Sequence, residues 1–321
     1  MSVKKTKRVL VIGSTGQIGS ELTVDLRKRF GKENVVATGH SRRPEGALQD
    51  GPFELLDALN KADMINLLKR YDIDTIYHLA GILSAVGEQK PALAWEVNVN
   101  GLRNVLEVAL ENGLRVFWPS SIATFGSETP QIMTPQNTVL MPRTIYGVTK
   151  VAGELLSNYY ANRYGLDVRG IRIPGVVSSE TLPGGGTTDY AVEMFYEAIK
   201  KKRYTCYLKE DAALPMIYMP DCDKAIIDLM EADSSKISCR MGYNVGSMSF
   251  SPRELVDEIK KYIPEFICEY KPDFRQAIAD SWPISIDDTV ARKDWSWKPS
   301  YDLALMTKDM IEKISQRIQG K

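Results

Sequence analysis

Histidine and cysteine are scarce in this chain of 321 residues, which has only His40, His78 and four cysteines. Cys206, Cys222, Cys239 and Cys268 are 16, 17 and 29 residues apart, so no pair has CxxC spacing and neither histidine lies near one. That spacing excludes the common zinc-ligand patterns, and no metal site is expected. Four reduced thiols suit a cytoplasmic protein. Net charge is also lacking, because 41 Lys plus Arg balance 41 Asp plus Glu. A neutral chain has no electrostatic footprint for nucleic acid or an anionic membrane, and neither partner is expected. No apolar run approaches the ~18 residues of a membrane span. The basic start over 1–7 is followed by no apolar stretch of signal-peptide length, so no targeting segment is expected. What is present, 44% hydrophobic and 9% aromatic residues, suits an ordinary globular core.

The length allows two domains or one large α/β domain. Over the first half, strand and helix signals alternate. Strands are predicted at 8–12, 35–38, 53–56, 75–80, 116–118 and 167–173, and helices at 17–30, 59–70, 91–112 and 146–164. Within 91–112, Leu93, Val97, Leu102, Val105, Leu106 and Ala109 recur at helix spacing. Such alternation predicts an α/β fold, a Rossmann-type doubly wound parallel sheet with helices on both faces. The second half is less regular. Pro183-Gly184-Gly185-Gly186 interrupts it before a helical stretch at 190–202. Ser251-Pro252-Arg253-Glu254 reads as a capping box opening a helix to about 262. A short strand at 266–270 and a helix at 303–318 complete the pattern. A dinucleotide-binding domain is expected over 1–173, with segments near 215–247 returning to it. A smaller, interleaved substrate lobe is expected over 174–321.

Gly13-Ser14-Thr15-Gly16-Gln17-Ile18-Gly19 follows the first strand and opens the first helix. Bare backbone there can approach a pyrophosphate, and the helix N-terminus supplies N–H donors and the positive end of a dipole. The Gly-x-x-Gly-x-x-Gly spacing points to the short-chain dehydrogenase/reductase superfamily, whose catalytic pair is a Tyr with a Lys four residues on. With 15 tyrosines and 23 lysines, roughly one such pair arises by chance, so context must decide. Tyr146/Lys150 opens a helix 25 residues after Ser121, at the end of a predicted strand. Tyr196/Lys200 lacks any such serine and reads as an ordinary amphipathic helix. Lys150 shares a helix face with Tyr146, and its ammonium together with an oxidised nicotinamide ring favours the phenolate, a base for an alcohol proton. Ser121 can hold the alcohol oxygen in line, or simply cap a turn.

Further motifs narrow the resemblance. Ser120-Ser121-Ile122-Ala123-Thr124-Phe125-Gly126, Thr144-Ile145-Tyr146-Gly147-Val148-Thr149-Lys150 and Arg172-Ile173-Pro174-Gly175 occur in that order. Leu182-Pro183-Gly184-Gly185-Gly186-Thr187-Thr188-Asp189-Tyr190-Ala191, Leu214-Pro215-Met216-Ile217-Tyr218-Met219-Pro220-Asp221 and Ser281-Trp282-Pro283 follow. Together they resemble the epimerase-like L-threonine 3-dehydrogenases of the extended short-chain class, over nearly the whole chain.

The resemblance implies NAD-linked oxidation of the L-threonine β-hydroxyl to L-2-amino-3-ketobutyrate, with Tyr146, Lys150 and Ser121 catalytic. It implies cofactor contacts from Gly13, Thr15, Gly16, Gln17, Ile18, Gly19, Ser41, Arg42, Asp57, Leu79, Ala80, Gly81, Asn98, Tyr146, Lys150 and Pro174. Ser84, Ser121, Tyr146, Gly186, Thr187 and Trp282 would surround the amino acid, under a closable cover formed by 184–187 and Trp282. Blander roles exist: Ser84 as a loop hydroxyl, Thr187 as a helix N-cap, Trp282 as a packing anchor. The family also implies a homodimer through helices 91–112 and 146–164, which by sequence alone could equally pack inside one subunit, and a downstream 2-amino-3-ketobutyrate CoA ligase. One departure concerns the coenzyme. Gly39 stands where NAD-specific members carry an acid, and Arg42 and Arg43 follow, so NADP is possible while NAD is favoured. The alternatives are a nucleotide-sugar epimerase or dehydratase using the same three residues, and a dinucleotide-sensing module without turnover. Intact Tyr146 and Lys150 argue against the second.

Overall fold

The computed structural model describes residues 6–182 and 184–319. Most of the basic start, residues 1–5, and Pro183 of the glycine stretch lie outside the described residues.

The first half builds β1 (Val9–Ile12), α1 (Gln17–Phe30), β2 (Val35–Gly39), β3 (Phe53–Leu55), α2 (Lys61–Tyr71) and β4 (Thr75–His78). It continues through α3 (Ser84–Gln89), α4 (Pro91–Trp95), α5 (Gly101–Asn112), β5 (Arg115–Phe117), β6 (Ser120–Ser121), α6 (Ile145–Tyr164) and β7 (Val168–Arg169). Six strands form one parallel sheet in the order β3-β2-β1-β4-β5-β7. Period-two alternation splits each strand between two cores. Val9, Val11 and Tyr77 pack with Leu22 and Leu26 of α1, while Leu10, Ile12 and Ile76 pack with Met64 of α2 and Leu102 and Val105 of α5. This is the doubly wound Rossmann-type arrangement that the alternating pattern predicts.

The predicted strand 167–173 is in fact two. β7 ends at Arg169, just before Gly170, and β8 (Ile171–Ile173) joins a second sheet between β6 and β12 (Tyr243–Asn244). A Cβ at Gly170 would lie 2.2 Å from the Trp118 carbonyl oxygen, so the crossover needs a bare backbone. The predicted helix 91–112 is also interrupted. Glu96–Asn100 forms a π turn between α4 and α5, where wider winding shifts the phase of the side chains. Asn98 in that turn accepts from the Ile82 N–H (2.7 Å) and donates to the Ile82 carbonyl and the Thr149 hydroxyl.

The remaining elements are β9 (Gly175–Val177), α7 (Tyr190–Lys201), β10 (Arg203–Cys206), β11 (Leu214–Tyr218), α8 (Met219–Glu231), β13 (Met248–Phe250) and α9 (Pro252–Lys260). β14 (Ile267–Tyr270), α10 (Arg275–Ala279), α11 (Thr289–Trp295) and α12 (Leu303–Gln319) follow. The predicted capping box on α9 forms, with Ser251 and Glu254 bonding reciprocally. Helix α8 has no counterpart among the sequence-predicted elements, yet its Ile226 and Leu229 complete the core beside α1. β11 pairs with β9 and β13, and β10 with β14. Tyr190, Phe195, Leu214, Leu255, Met306 and Met310 build a separate core there. Between this lobe and the large sheet runs a cleft.

Candidate active site

β1 delivers the chain to a turn at Gly13 with φ +87°, where a Cβ would lie 2.6 Å from the Ala80 nitrogen. Gly19 sits against the same turn, since a Cβ there would lie 2.3 Å from the Gly13 oxygen. Gly16 caps α1 with no side-chain bond, so nothing competes for the first-turn N–H groups. Gln17 and Ile18 line the cleft, and the Gln17 Nε2 is buried with no hydrogen-bond partner. A buried orphan donor beside an open helix N-terminus is what the oxygens of a diphosphate would satisfy. The residues present therefore fit a dinucleotide.

Leu79, Gly81 and Pro174 line the same cleft. Ala80 backs the glycine turn. Asn98 stands behind the 80–82 segment, and its amide is already taken by Ile82 and Thr149. A separate cleft holds Thr15, Ser20, Arg42 and Arg43. Ser41 is exposed in the adjoining loop. Asp57 caps the turn before α2 by accepting from the Leu59 N–H, and lies 3.8 Å from His40. The missing acid at Gly39 has a steric cause: a Cβ there would lie 2.6 Å from the Arg42 oxygen, because the 40–42 loop folds across it.

Thr144 caps α6 by accepting from the Gly147 N–H. Gly147 lets the first turn of α6 pack on the Ile122–Thr124 turn, since a Cβ there would lie 2.2 Å from the Ala123 oxygen. That packing brings Tyr146 to Ser121. The Ser121 hydroxyl oxygen accepts from the Ala123 N–H (3.1 Å), capping the turn, and the hydroxyl lies beside the Tyr146 phenol, whose pKa it lowers.

Burial dominates the electrostatics here. Tyr146 is only half-buried by exposed area, yet enough protein surrounds its hydroxyl to push the pKa up to about 12, with Ser121 pulling it partly back. Lys150, 7% exposed, is pushed down to about 7 by burial, opposed by the Glu154 carboxylate. The Lys150 ammonium donates to the Pro119 carbonyl (2.6 Å) and lies 5.5 Å from the Tyr146 ring centroid. Desolvation is the largest influence on both groups.

Ser84, Ser121, Tyr146, Gly186, Thr187 and Trp282 all line this one cleft. Thr187 is not the N-cap of α7; Asp189 holds that position. Its carboxylate accepts the Gly185 and Gly186 N–H groups at 2.7 Å each, tying down the glycine loop. Trp282 both faces the cleft and packs in the lobe core. The sequence reading did not single out Leu83, Ile122, Val176 or Asp189, which also line the cleft. It missed Glu154 as well, although 146, 150 and 154 follow i, i+4, i+8 spacing. Glu154 is buried beneath the site, paired with Arg172 at 2.9 Å and bonded by the Ser120 hydroxyl.

A dinucleotide-type sheet, an open helix N-terminus and a Ser–Tyr–Lys group in one cleft define a short-chain-type oxidoreductase site. Residues 9–246 match the NAD dependent epimerase/dehydratase family, and the chain belongs to that family. An uncharacterized epimerase/dehydratase of Staphylococcus haemolyticus is 48% identical over 318 residues, 98% of this chain and 100% of the relative. An L-threonine dehydrogenase structure from Clostridium difficile is 51% identical and covers 98% of this chain and 99% of its own, with a TM-score of 0.96. A monomeric L-threonine 3-dehydrogenase from a metagenome is 44% identical over 96% of this chain and 99% of its own, with a TM-score of 0.93.

Proposed function

We propose that this protein oxidises the β-hydroxyl of L-threonine to L-2-amino-3-ketobutyrate with NAD as the coenzyme. The observation that carries the reading is the convergence of Ser121, Tyr146 and Lys150 on one cleft with Ser84, Thr187 and Trp282. The 44–51% identity to L-threonine dehydrogenases over nearly the full chain supports it. Gln17, Ile18 and the backbone of the glycine turn would hold the diphosphate, with Lys150 near the ribose. When bound, NAD supplies the positive ring that accepts a hydride. Tyr146 takes the hydroxyl proton, and Ser121 fixes the alcohol oxygen in line with it. The Asp189-tied loop at 184–187 and Trp282 exclude water, which strengthens the few polar contacts that orient a small substrate. Reduced-nicotinamide absorbance with L-threonine and each coenzyme tests the assignment, with NAD expected to exceed NADP in kcat/KM. Tyr146→Phe should lose ~10²–10⁴ in kcat and keep coenzyme affinity. Near-parental turnover in that variant overturns the reading.

We also propose a homodimer through α4 and α6. Leu93, Val148, Leu155 and Tyr159 are large apolar side chains left exposed on these neighbouring helices, Leu155 at 65%. A monomeric mass by sedimentation at micromolar concentration would refute it. The ketoacid product calls for a consuming enzyme, and a 2-amino-3-ketobutyrate CoA ligase fits that role.

A further inference from the structure

An ammonium at Lys150 favours a phenolate at Tyr146, whereas a neutral amine does not. Burial works against that ammonium, since Lys150 is 7% exposed. Something in the site must offset the burial.

Trp118 is placed to do so. The Lys150 Nζ lies 4.3 Å from the indole centroid, within range of a cation–π contact. The indole is 1% exposed, so water does not weaken that attraction. Gly153 on α6 makes the geometry possible, since a Cβ there would lie 2.2 Å from the indole Cη2. The backbone N–H of Trp118 is fixed to the Arg169 carbonyl at 3.0 Å. The other groups facing Lys150 do not replace it. Glu154 on α6 attracts the ammonium but is already neutralised by Arg172 of β8. His78 on β4 is neutral, because burial pushes it down to about 3. The Pro119 carbonyl accepts one ammonium hydrogen.

We propose that Trp118 is a positioning residue for the reaction: its indole face, seated under Lys150 through Gly153, favours the ammonium form of Lys150, which in turn favours the Tyr146 phenolate. The inference rests on Tyr146 acting as the base. It predicts that Trp118→Leu lowers kcat by about 10- to 30-fold. KM for L-threonine and the NAD Kd should stay within about twofold. Trp118→Phe, which keeps a π face, should recover most of the loss. Equal loss in folded Phe and Leu variants, or parental kcat in the Leu variant, overturns the proposal.

A second measurement needs neither turnover nor a folded Trp118 variant. Indole emission of the parental protein should titrate with Lys150 between about pH 6 and 9, and Lys150→Met should abolish that change. Emission that titrates identically in Lys150→Met overturns the contact. If no form of the protein oxidises L-threonine, the proposed function fails, and the emission titration still decides the Trp118 contact.

Discussion

Gly19→Ala separates two forces that act in opposite directions on one atom. Alanine in a helix is intrinsically better than glycine by about 1 kcal/mol, so propensity alone predicts a more stable protein. The new methyl group, however, would lie 2.3 Å from the Gly13 oxygen and 2.9 Å from the Ser14 Cα. Both obstacles are backbone, held by the tight turn at Gly13 and by the Ser14 N–H bond to the Thr38 carbonyl (2.8 Å). No flexible side chain can yield. Relief requires α1 to back away from the turn by roughly 1 Å, and such overpacking costs about 1–3 kcal/mol. The net expectation is a loss of about 0–2 kcal/mol, a Tm drop of up to ~3 °C for a chain of this size. The larger effect should fall on the coenzyme. Moving the first turn shifts the open N–H groups and Gln17 from where a diphosphate would meet them. Losing one or two such charge-assisted bonds weakens NAD by about tenfold or more. Differential scanning calorimetry and NAD titration calorimetry measure the two effects separately. A raised Tm with unchanged NAD affinity would refute the steric argument and leave propensity as the only force.

Asp189→Ala removes the acceptor for two glycine N–H groups, so KM for L-threonine should rise about tenfold while the NAD Kd stays put; unchanged steady-state kinetics would detach the loop from substrate binding. Arg172→Met strands the Glu154 carboxylate, which is 3% exposed, and should cost about 3–5 kcal/mol, whereas the double variant with Glu154→Met should recover much of it. Urea unfolding reads both, and a double variant no better than the single contradicts the pairing argument. His78 is held down to about 3 against an ordinary 6.5 by burial, so the unfolded chain binds its proton first. Its contribution is complete above pH 6.5 and is lost as pH falls toward 3, at up to ~1.4 kcal/mol per unit. His78→Phe should flatten that acid slope in urea denaturation, and an unchanged slope would show that His78 charges in the folded state.

Much of this protein is legible without coordinates. The parallel sheet was readable because β1, β2 and β4 are short apolar runs separated by helical periodicity, a pattern set by burial on both faces. Gly13, Gly16 and Gly19, and the Ser121, Tyr146 and Lys150 trio, were readable because a helix start and i, i+4 spacing are local geometry. Breaks and placements that answer to distant partners were not. Met219–Glu231 does carry local helix signals, Pro220 in its first turn and Cys222, Ala225, Ile226, Leu229 and Met230 at helix spacing, and what the tertiary structure adds is its place over the sheet beside α1. The break at Gly170 depends on the Trp118 carbonyl, 52 residues earlier in the chain. The π turn at 96–100 serves the Asn98 bonds to Ile82 and Thr149.

The same division runs through the chemistry. Residue types and spacing by themselves determined which groups could hold a dinucleotide and move a proton. Only the tertiary structure decided which way burial and neighbours shift their protonation. Desolvation and an aromatic face arise from chain segments packed together in three dimensions, so no local pattern records that Lys150 lies between Trp118 and the Pro119 carbonyl, or that burial raises Tyr146 instead of lowering it.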